Sequence, residues 1–333
     1  MDREGARRRG LLIGGAALAM ASLARGALAF PSRPIRILVP QAAGGVTDVA
    51  ARLAAAHVQS LGQPCVAEAR AGAAGSIAAL AVARAAPDGH TLLMGTTSTH
   101  GTNPFTQAGL PYDPVADFEP VVNVGLVPSV ITVRADHPAR SLPELIEMAR
   151  ARPAGQAMTY GSAGAGGSIH LSVEILRARA GIALVHVPYR GSGAQLTDLI
   201  AGHIDFTMTA ASSAMALIEA GRVRALAVTS LEPTALAPGV PTVASFGMPG
   251  YATASWNGLF APKGTPEEAM EAINRAFNAG IATPEGRSAF FRVGVDATGG
   301  TRDDLRRHVQ RELATWSQAA RDAGVVPEKL DAP

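Results

Sequence analysis

Apolar residues along this chain follow two periods that take turns. Short runs at 34–40 (PIRILVP), 65–69, 91–95, 157–160, 184–189, 204–208 and 223–229 are continuous or alternate by two, and read as strands. Runs at 49–61, 77–86, 169–180, 194–201 and 212–220 place apolar residues three and four apart and read as helices. Ser141-Leu142-Pro143-Glu144 is a capping box that opens a helix to Ala151. Thr265-Pro266-Glu267-Glu268 caps another to about Gly280, and Thr301-Arg302-Asp303-Asp304 caps the last to about Ala323. Strand and helix alternate throughout, which predicts an α/β fold with mostly parallel sheets and helices on both faces.

Two apolar segments depart from that rhythm, near 121–133 and 252–262. The first is broken by Gly125 and Pro128, and the second holds Ser255-Trp256-Asn257-Gly258-Leu259-Phe260. Both read as strands that cross between two lobes and serve as a hinge. Lobe one is then 31–125 with 255–333, and lobe two is 126–254. A chain of 333 residues, 47% hydrophobic and 17% charged, is long enough to bury two such cores. Trp256 and Phe260 read as core side chains.

The N-terminus changes the picture of charge. Residues 1–29 read as a signal peptide: Arg7-Arg8-Arg9 is the basic region, 10–23 the short apolar core, and Ala27-Leu28-Ala29 the cleavage site. Arg8-Arg9-Gly10-Leu11-Leu12 also matches the twin-arginine type of export signal. Without Arg3, Arg7, Arg8, Arg9 and Arg25 the formal charge of +2 disappears, and with it any case for nucleic acid or an anionic membrane. One cysteine, Cys65, excludes an intrachain disulfide and reads as a small buried residue. The histidines lie on separate elements without metal-binding spacing, so neither metal nor cofactor is expected.

Candidate chemistry sits in the strand-to-helix loops, which are small and rich in glycine. The fullest runs from Tyr160 to Ser168 (YGSAGAGGS), with no Lys-Ser/Thr to make it a phosphate loop and no third glycine for a dinucleotide turn. Such loops bring backbone N–H groups and a helix N-terminus against an anion. Ser162, Ala163, Gly164 and Ser168 are the candidates in that loop. Ala43, Gly44 and Gly45 are their counterparts ahead of Thr47 and Asp48, and Thr96, Thr97, Ser98 and Thr99 end a strand as a hydroxyl cluster. Asp48 either serves the helix dipole or orients its loop. His170 either packs or donates to a carboxylate, and Arg190 is either a surface residue or a counter-ion. Ser162 lacks the first glycine of a nucleophile elbow, which argues against a serine hydrolase. Donors are plentiful and acids, bases and nucleophiles scarce, which favours holding an anion over transforming it.

Several motifs then coincide in order. They are Pro34-x-Arg36-Ile37-x-Val39-Pro40 with Gly44-Gly45-x-x-Asp48, Ala86-Pro87-Asp88-Gly89-His90-Thr91, and Leu110-Pro111-Tyr112-Asp113-Pro114. Next come Tyr160-Gly161-Ser162-Ala163-Gly164, His186-Val187-Pro188-Tyr189-Arg190-Gly191, and Gly258-Leu259-Phe260-Ala261-Pro262-x-Gly264-Thr265-Pro266. Over 31–330 the chain resembles the Bug (Bordetella uptake gene) family, extracytoplasmic solute receptors of tripartite tricarboxylate transporters. The resemblance implies a two-lobed, type II periplasmic-binding-protein-like fold that closes on a small organic carboxylate and passes it to a membrane permease. It implies a monomer, periplasmic location, no catalysis, and ligand contacts from Ala43-Gly44-Gly45, Thr96–Thr99, Ser162-Ala163-Gly164 and Tyr189-Arg190. Two departures stand out. Ala42-Ala43 replaces the usual Pro-Pro, and Thr209-Ala210 stands where many relatives carry Asp-Asn, which favours a plain carboxylate over an amino acid. An exported enzyme acting on a carboxylated substrate, or a sensor that presents ligand to a signalling partner, are the alternatives.

Export predicts a processed chain. N-terminal sequencing of exported protein is expected to begin at Phe30; a product that starts at Met1 or stays in the membrane refutes the signal-peptide reading.

Overall fold

The computed structural model describes residues 30–153, 155–162, 167–189, 192–322 and 324–327. The signal-peptide reading and the candidates Ala163, Gly164 and Arg190 lie outside the described residues. The chain opens with β1 (Ile35–Val39), α1 (Val46–Val58), β2 (Cys65–Ala69), α2 (Ser76–Ala83), β3 (Thr91–Thr96) and the short α3 (Asn103–Thr106). It continues through β4 (Phe118–Val127), β5 (Ser129–Arg134), α4 (Leu142–Arg150), β6 (Met158–Ser162), α5 (Ser168–Ala180), β7 (Leu184–Pro188) and α6 (Ser192–Ala201). Then come β8 (Phe206–Ala210), α7 (Ala211–Glu219), β9 (Val223–Val228), β10 (Ser255–Pro262), α8 (Glu267–Ala282), α9 (Pro284–Arg292), β11 (Asp296–Ala297) and α10 (Arg302–Asp322).

Two mixed sheets result, ordered β11-β4-β10-β3-β1-β2 and β7-β6-β8-β5-β9. In the first, β1 pairs in parallel with β2 and β3, while β10 runs antiparallel between β3 and β4. In the second, β6 pairs in parallel with β7 and β8, while β5 runs antiparallel between β8 and β9. The reversed strand of each sheet is the one that enters after a crossing. From β4 to β5 that crossing is a single residue, Pro128, which lacks an N–H and ends the ladder. The return crossing lies ahead of β10: Thr253 N–H donates to the Thr229 carbonyl at 3.0 Å before the strand begins.

Both faces of the first sheet are covered. Ile35, Ile37 and Val39 pack with Ala50, Ala54, Val58 and Phe277 from α1 and α8. Leu38 and Leu93 pack on the other side with Ala78, Val82, Leu305 and Val309 from α2 and α10. Cys65 is buried as expected, and burial pushes its thiol up to about 12. In the second sheet, Ile131, Tyr160, Phe206 and Met208 face α5, so Thr207 and Thr209 point to the opposite face, under α6 and α7.

Helix ends follow the expected caps at two of three places. Ser141 Oγ accepts from Glu144 N–H at 3.3 Å, and Thr301 and Asp304 bond each other's backbone N–H groups. Thr265 does not cap α8: Pro266 occupies the cap position, and Thr265 Oγ1 donates back to the Pro262 carbonyl at 2.8 Å. Two strand boundaries shift toward the C-terminus. Ser162 ends β6 instead of starting the loop, and Thr209 lies within β8, paired with Val130. Asp205 explains the second shift, since its carboxylate accepts from Thr159 N–H and hydroxyl at 2.8 and 3.0 Å and holds that stretch as a turn.

Helix α10 belongs to both cores. Its N-terminal half supplies Leu305 and Val309 to the first sheet, and its C-terminal half puts Trp316 and Ala319 among Tyr160, Leu171 and Phe206 of the second. Between them, Glu312 Oε2 accepts from the indole N–H groups of Trp256 at 2.8 Å and Trp316 at 2.7 Å. Burial raises the Glu312 carboxyl from 4.5 to about 7, against the pull of the two indoles. A raised carboxyl favours the protonated, folded form. Its contribution is therefore complete below the ordinary value and is lost as pH climbs through about 7. Glu312→Gln is expected to flatten the fall in melting temperature between about pH 5 and about pH 8, a span worth up to about 3 kcal/mol. Parallel slopes for wild type and variant would contradict this.

Candidate ligand-binding site

Three loops meet at the C-terminal ends of β1, β2 and β3. They enclose a cavity of about 120 Å³ lined by Pro40, Gln41, Gly72, Ala74, Gly75, Thr96 and Ser98. The middle loop is held in an uncommon shape, with Ala73 and Ala74 at φ +47° and +49°. Left-handed alanines cost on the order of 1 kcal/mol each, and buried amides hold them there. Asn103 Nδ2 donates to the Ala74 carbonyl at 3.1 Å and Gln107 Nε2 to the Ala73 carbonyl at 3.3 Å. The sequence pattern marks this loop as glycine-bearing, yet none of its residues, nor Asn103 or Gln107, stood among the candidates. Its signal was Gly72-x-x-Gly75 after a strand adjacent to β1.

The first expected loop carries its own orienting acid. Asp48 is 1% exposed; its Oδ2 accepts from Gly44 N–H at 2.9 Å and from Arg52 Nε at 3.0 Å. Burial alone would raise this carboxyl, but the Gly44 N–H and the Arg52 guanidinium hold it below its ordinary value. Asp48 therefore stays ionised and shapes the exposed Ala43-Gly44-Gly45 turn, and the Gly44 N–H points to it. The N–H groups that open α1 behind Gly45 have no preceding helical turn to bond.

Most of the hydroxyl cluster is occupied with itself. Thr99 Oγ1 accepts from Thr96 N–H at 2.9 Å, Thr96 Oγ1 accepts from Thr99 N–H at 3.3 Å, and Thr97 Oγ1 accepts from Trp256 N–H at 3.0 Å. Thr96 and Ser98 line the cavity.

In the second sheet, Ser162 is fully buried and its Oγ lies 2.7 Å from His186 Nε2. That is the length of a nucleophile–base pair, but the imidazole runs into a ring stack. His186 lies 4.1 Å from His170 and 5.0 Å from Tyr160, centroid to centroid. Tyr160 in turn donates to Glu174 at 2.8 Å. Burial, then the neighbouring His170, lower His186 to about 4, and burial lowers His170 as well. Both rings are neutral at pH 7. Tyr189 donates to Asp198 at 2.8 Å; burial and that carboxylate raise its hydroxyl to about 12. Thr209 is 1% exposed, and its Oγ1 has no hydrogen-bond partner among the described residues.

The start of β10 brings the two halves together. Ser255 Oγ lies 3.4 Å from the Oγ of Ser168, the first residue of α5. Two residues on, Asn257 Nδ2 donates to Oγ1 of Thr47 in the first turn of α1, at 3.5 Å. Residues two apart on a strand share a face and lie roughly 7 Å apart. The N-termini of α1 and α5, one from each sheet, therefore flank one short length of strand. Neither Ser255 nor Asn257 was a candidate from sequence, because an alternating strand does not say which of its polar residues meets a distant helix. Among the described residues, no cluster of three or more His, Cys, Asp or Glu is placed to hold a metal ion.

Two helix-flanked sheets, joined by crossing segments and presenting helix N-termini and strand ends to the seam between them, define a solute-binding receptor. Residues 49–325 match the tripartite tricarboxylate transporter family receptor, and the chain belongs to that family. It is 34% identical over 297 residues to Protein BugT of Bordetella pertussis, covering 89% of this chain and 90% of BugT. Among solved structures it is similar to R. palustris Rpa4515 with adipate, at 37% identity and a TM-score of 0.76, covering 90% of this chain and 99% of that one. It is also similar to MatC (Rpa3494) from Rhodopseudomonas palustris with bound malate, at 32% identity and a TM-score of 0.71, covering 87% and 100%. The Bug resemblance read from the motifs agrees with these relatives.

Two glycines separate strain from collision. Gly44 has φ +85° with open space around a methyl group, whereas Gly75 has φ +92° and a methyl there would sit 2.8 Å from both Pro40 Cβ and Thr99 Cγ2. Gly44→Ala is expected to cost about 1 kcal/mol and Gly75→Ala about 2–4 kcal/mol in denaturant unfolding. Equal costs would mean the three loops are not packed as described.

Proposed function

We propose that this chain is a periplasmic receptor that captures a small dicarboxylate between two lobes and delivers it to the membrane subunits of a tripartite tricarboxylate-type transporter. The lobes are 31–125 with 255–333, and 126–254; residues 1–29 direct export by the twin-arginine route and are removed. The observation that carries the reading is the start of β10, where Ser255 and Asn257 join the N-termini of α5 and α1. Each N-terminus offers unpaired N–H groups and a partial positive charge, one for each end of a doubly anionic ligand. Ala163, Gly164 and Arg190 belong to the lobe-two half of that site.

Relatives point to the same chemistry, since adipate and malate are both dicarboxylates. The protein acts without turnover. The Ser162 Oγ–His186 Nε2 hydrogen bond lies in a buried stack with His170 and Tyr160, an arrangement that suits packing better than turnover. The receptor is a monomer and uses neither metal nor cofactor.

Calorimetry on the processed chain tests this. Adipate and malate are expected to bind at one site per chain, with affinity unchanged by a chelator and both acids recovered intact. Absence of saturable binding to any dicarboxylate, or loss of binding on chelation, would overturn the reading.

A further inference from the structure

One buried side chain under the second sheet has no partner among the described residues at either of its polar atoms. Gln195, in the first turn of α6, is fully buried, and neither its Oε1 nor its Nε2 makes a hydrogen bond. Leaving both ends of a buried amide unpaired is costly, and native interiors rarely do so without a use for the group. Its position is defined by Gly161: a Cβ there would lie 3.3 Å from Gln195 Cβ. Gln195 therefore stands over the C-terminal end of β6, on the face under α6.

Thr209 lies on that same face. Gly161 pairs with Thr207 across the β6–β8 ladder, and the Thr207 hydroxyl donates to the Gly161 carbonyl at 2.9 Å. Thr209 is one step further toward the strand ends, 1% exposed, its Oγ1 also without a partner. The next hydroxyls inward, Thr207 and Thr132, are both bonded. Satisfaction thus stops where the strands reach the seam.

We infer that Gln195 and Thr209 form a polar subsite that selects a ligand bearing a hydroxyl beside its lobe-two carboxylate. The inference rests on the receptor reading above. The carboxylate itself is held by backbone N–H groups, and a methylene beside it leaves Gln195 and Thr209 as unpaired as they are without ligand. A hydroxyl in that place donates to Gln195 Oε1 and accepts from the Thr209 hydroxyl, so a 2-hydroxy diacid satisfies both oxygens and its deoxy counterpart does not. A site built to bond a hydroxyl rejects the analogue that lacks it. The chemistry is neutral, consistent with the neutral His170 and His186 on the other face of the same sheet.

The test uses malate and succinate, which differ by that one hydroxyl. Wild type is expected to bind malate about tenfold or more tighter than succinate in calorimetry. Gln195→Leu and Thr209→Val keep shape and remove the polar atoms. Each should weaken malate by about tenfold while leaving succinate within about twofold, so that the preference vanishes. The unliganded variants should melt at or above the wild-type temperature, because an unpaired buried group has been removed. Equal wild-type affinity for the two acids leaves the receptor reading standing and overturns the subsite. So do equal losses for both acids, or lowered melting temperatures in both variants, which mean the groups are structural or bound to an ordered water. A wild type that binds neither acid while binding another dicarboxylate also overturns it.

Discussion

One buried carboxylate ties the two sheets together. Glu312 accepts from an indole on β10 of the first sheet and from an indole packed into the core of the second. Its helix, α10, is long enough to reach both, with Leu305 at one end and Trp316 toward the other. Close approach reinforces the join: a Cβ on Gly101, in the turn after β3, would lie 2.8 Å from Trp316 Cδ1. A structure whose halves meet through a short crossing at Pro128, a return strand and this helix has few degrees of freedom. The start of β10 lies beside these three places.

At the site, charge is spent on shape. Asp48 neutralises Arg52 and orders the Gly44 turn, and Asp198 holds Tyr189. The hydroxyls of Thr96, Thr97 and Thr99 close their own loop or grip β10. Among the described residues of these loops, what remains is mainly backbone N–H and neutral amide or hydroxyl. Such dipoles are fixed before a ligand arrives, so an anion exchanges mobile water for donors already in place. Relatives solved with adipate and with malate share this fold.

The α/β alternation was legible because strand and helix periods differ and because caps such as Ser141–Glu144 are local. The order of motifs identified the family where no single glycine loop did. Contacts between distant segments were not legible. Thr96 and Thr99 fold their hydroxyls onto each other's backbone N–H groups, a pairing that the hydroxyl cluster in the sequence does not show by itself. The strained Ala73–Ala74 turn depends on Asn103 and Gln107, some thirty residues away, and no local pattern announces it. Nothing in the local pattern of α6 marks Gln195 as the residue that meets Gly161. Thr265 failed as a cap for a local reason that was visible, Pro266 in the capping position.

The shared carboxylate also has an optical meaning. The chain contains two tryptophans, Trp256 and Trp316, and both indoles donate to the same Glu312 oxygen. Its tryptophan emission therefore arises from one spot in the fold, the join between the sheets, with no background from elsewhere. Any event that shifts one sheet against the other, or that protonates that carboxylate, changes the surroundings of both fluorophores at once. The unlabelled protein carries its own gauge of the angle between its halves.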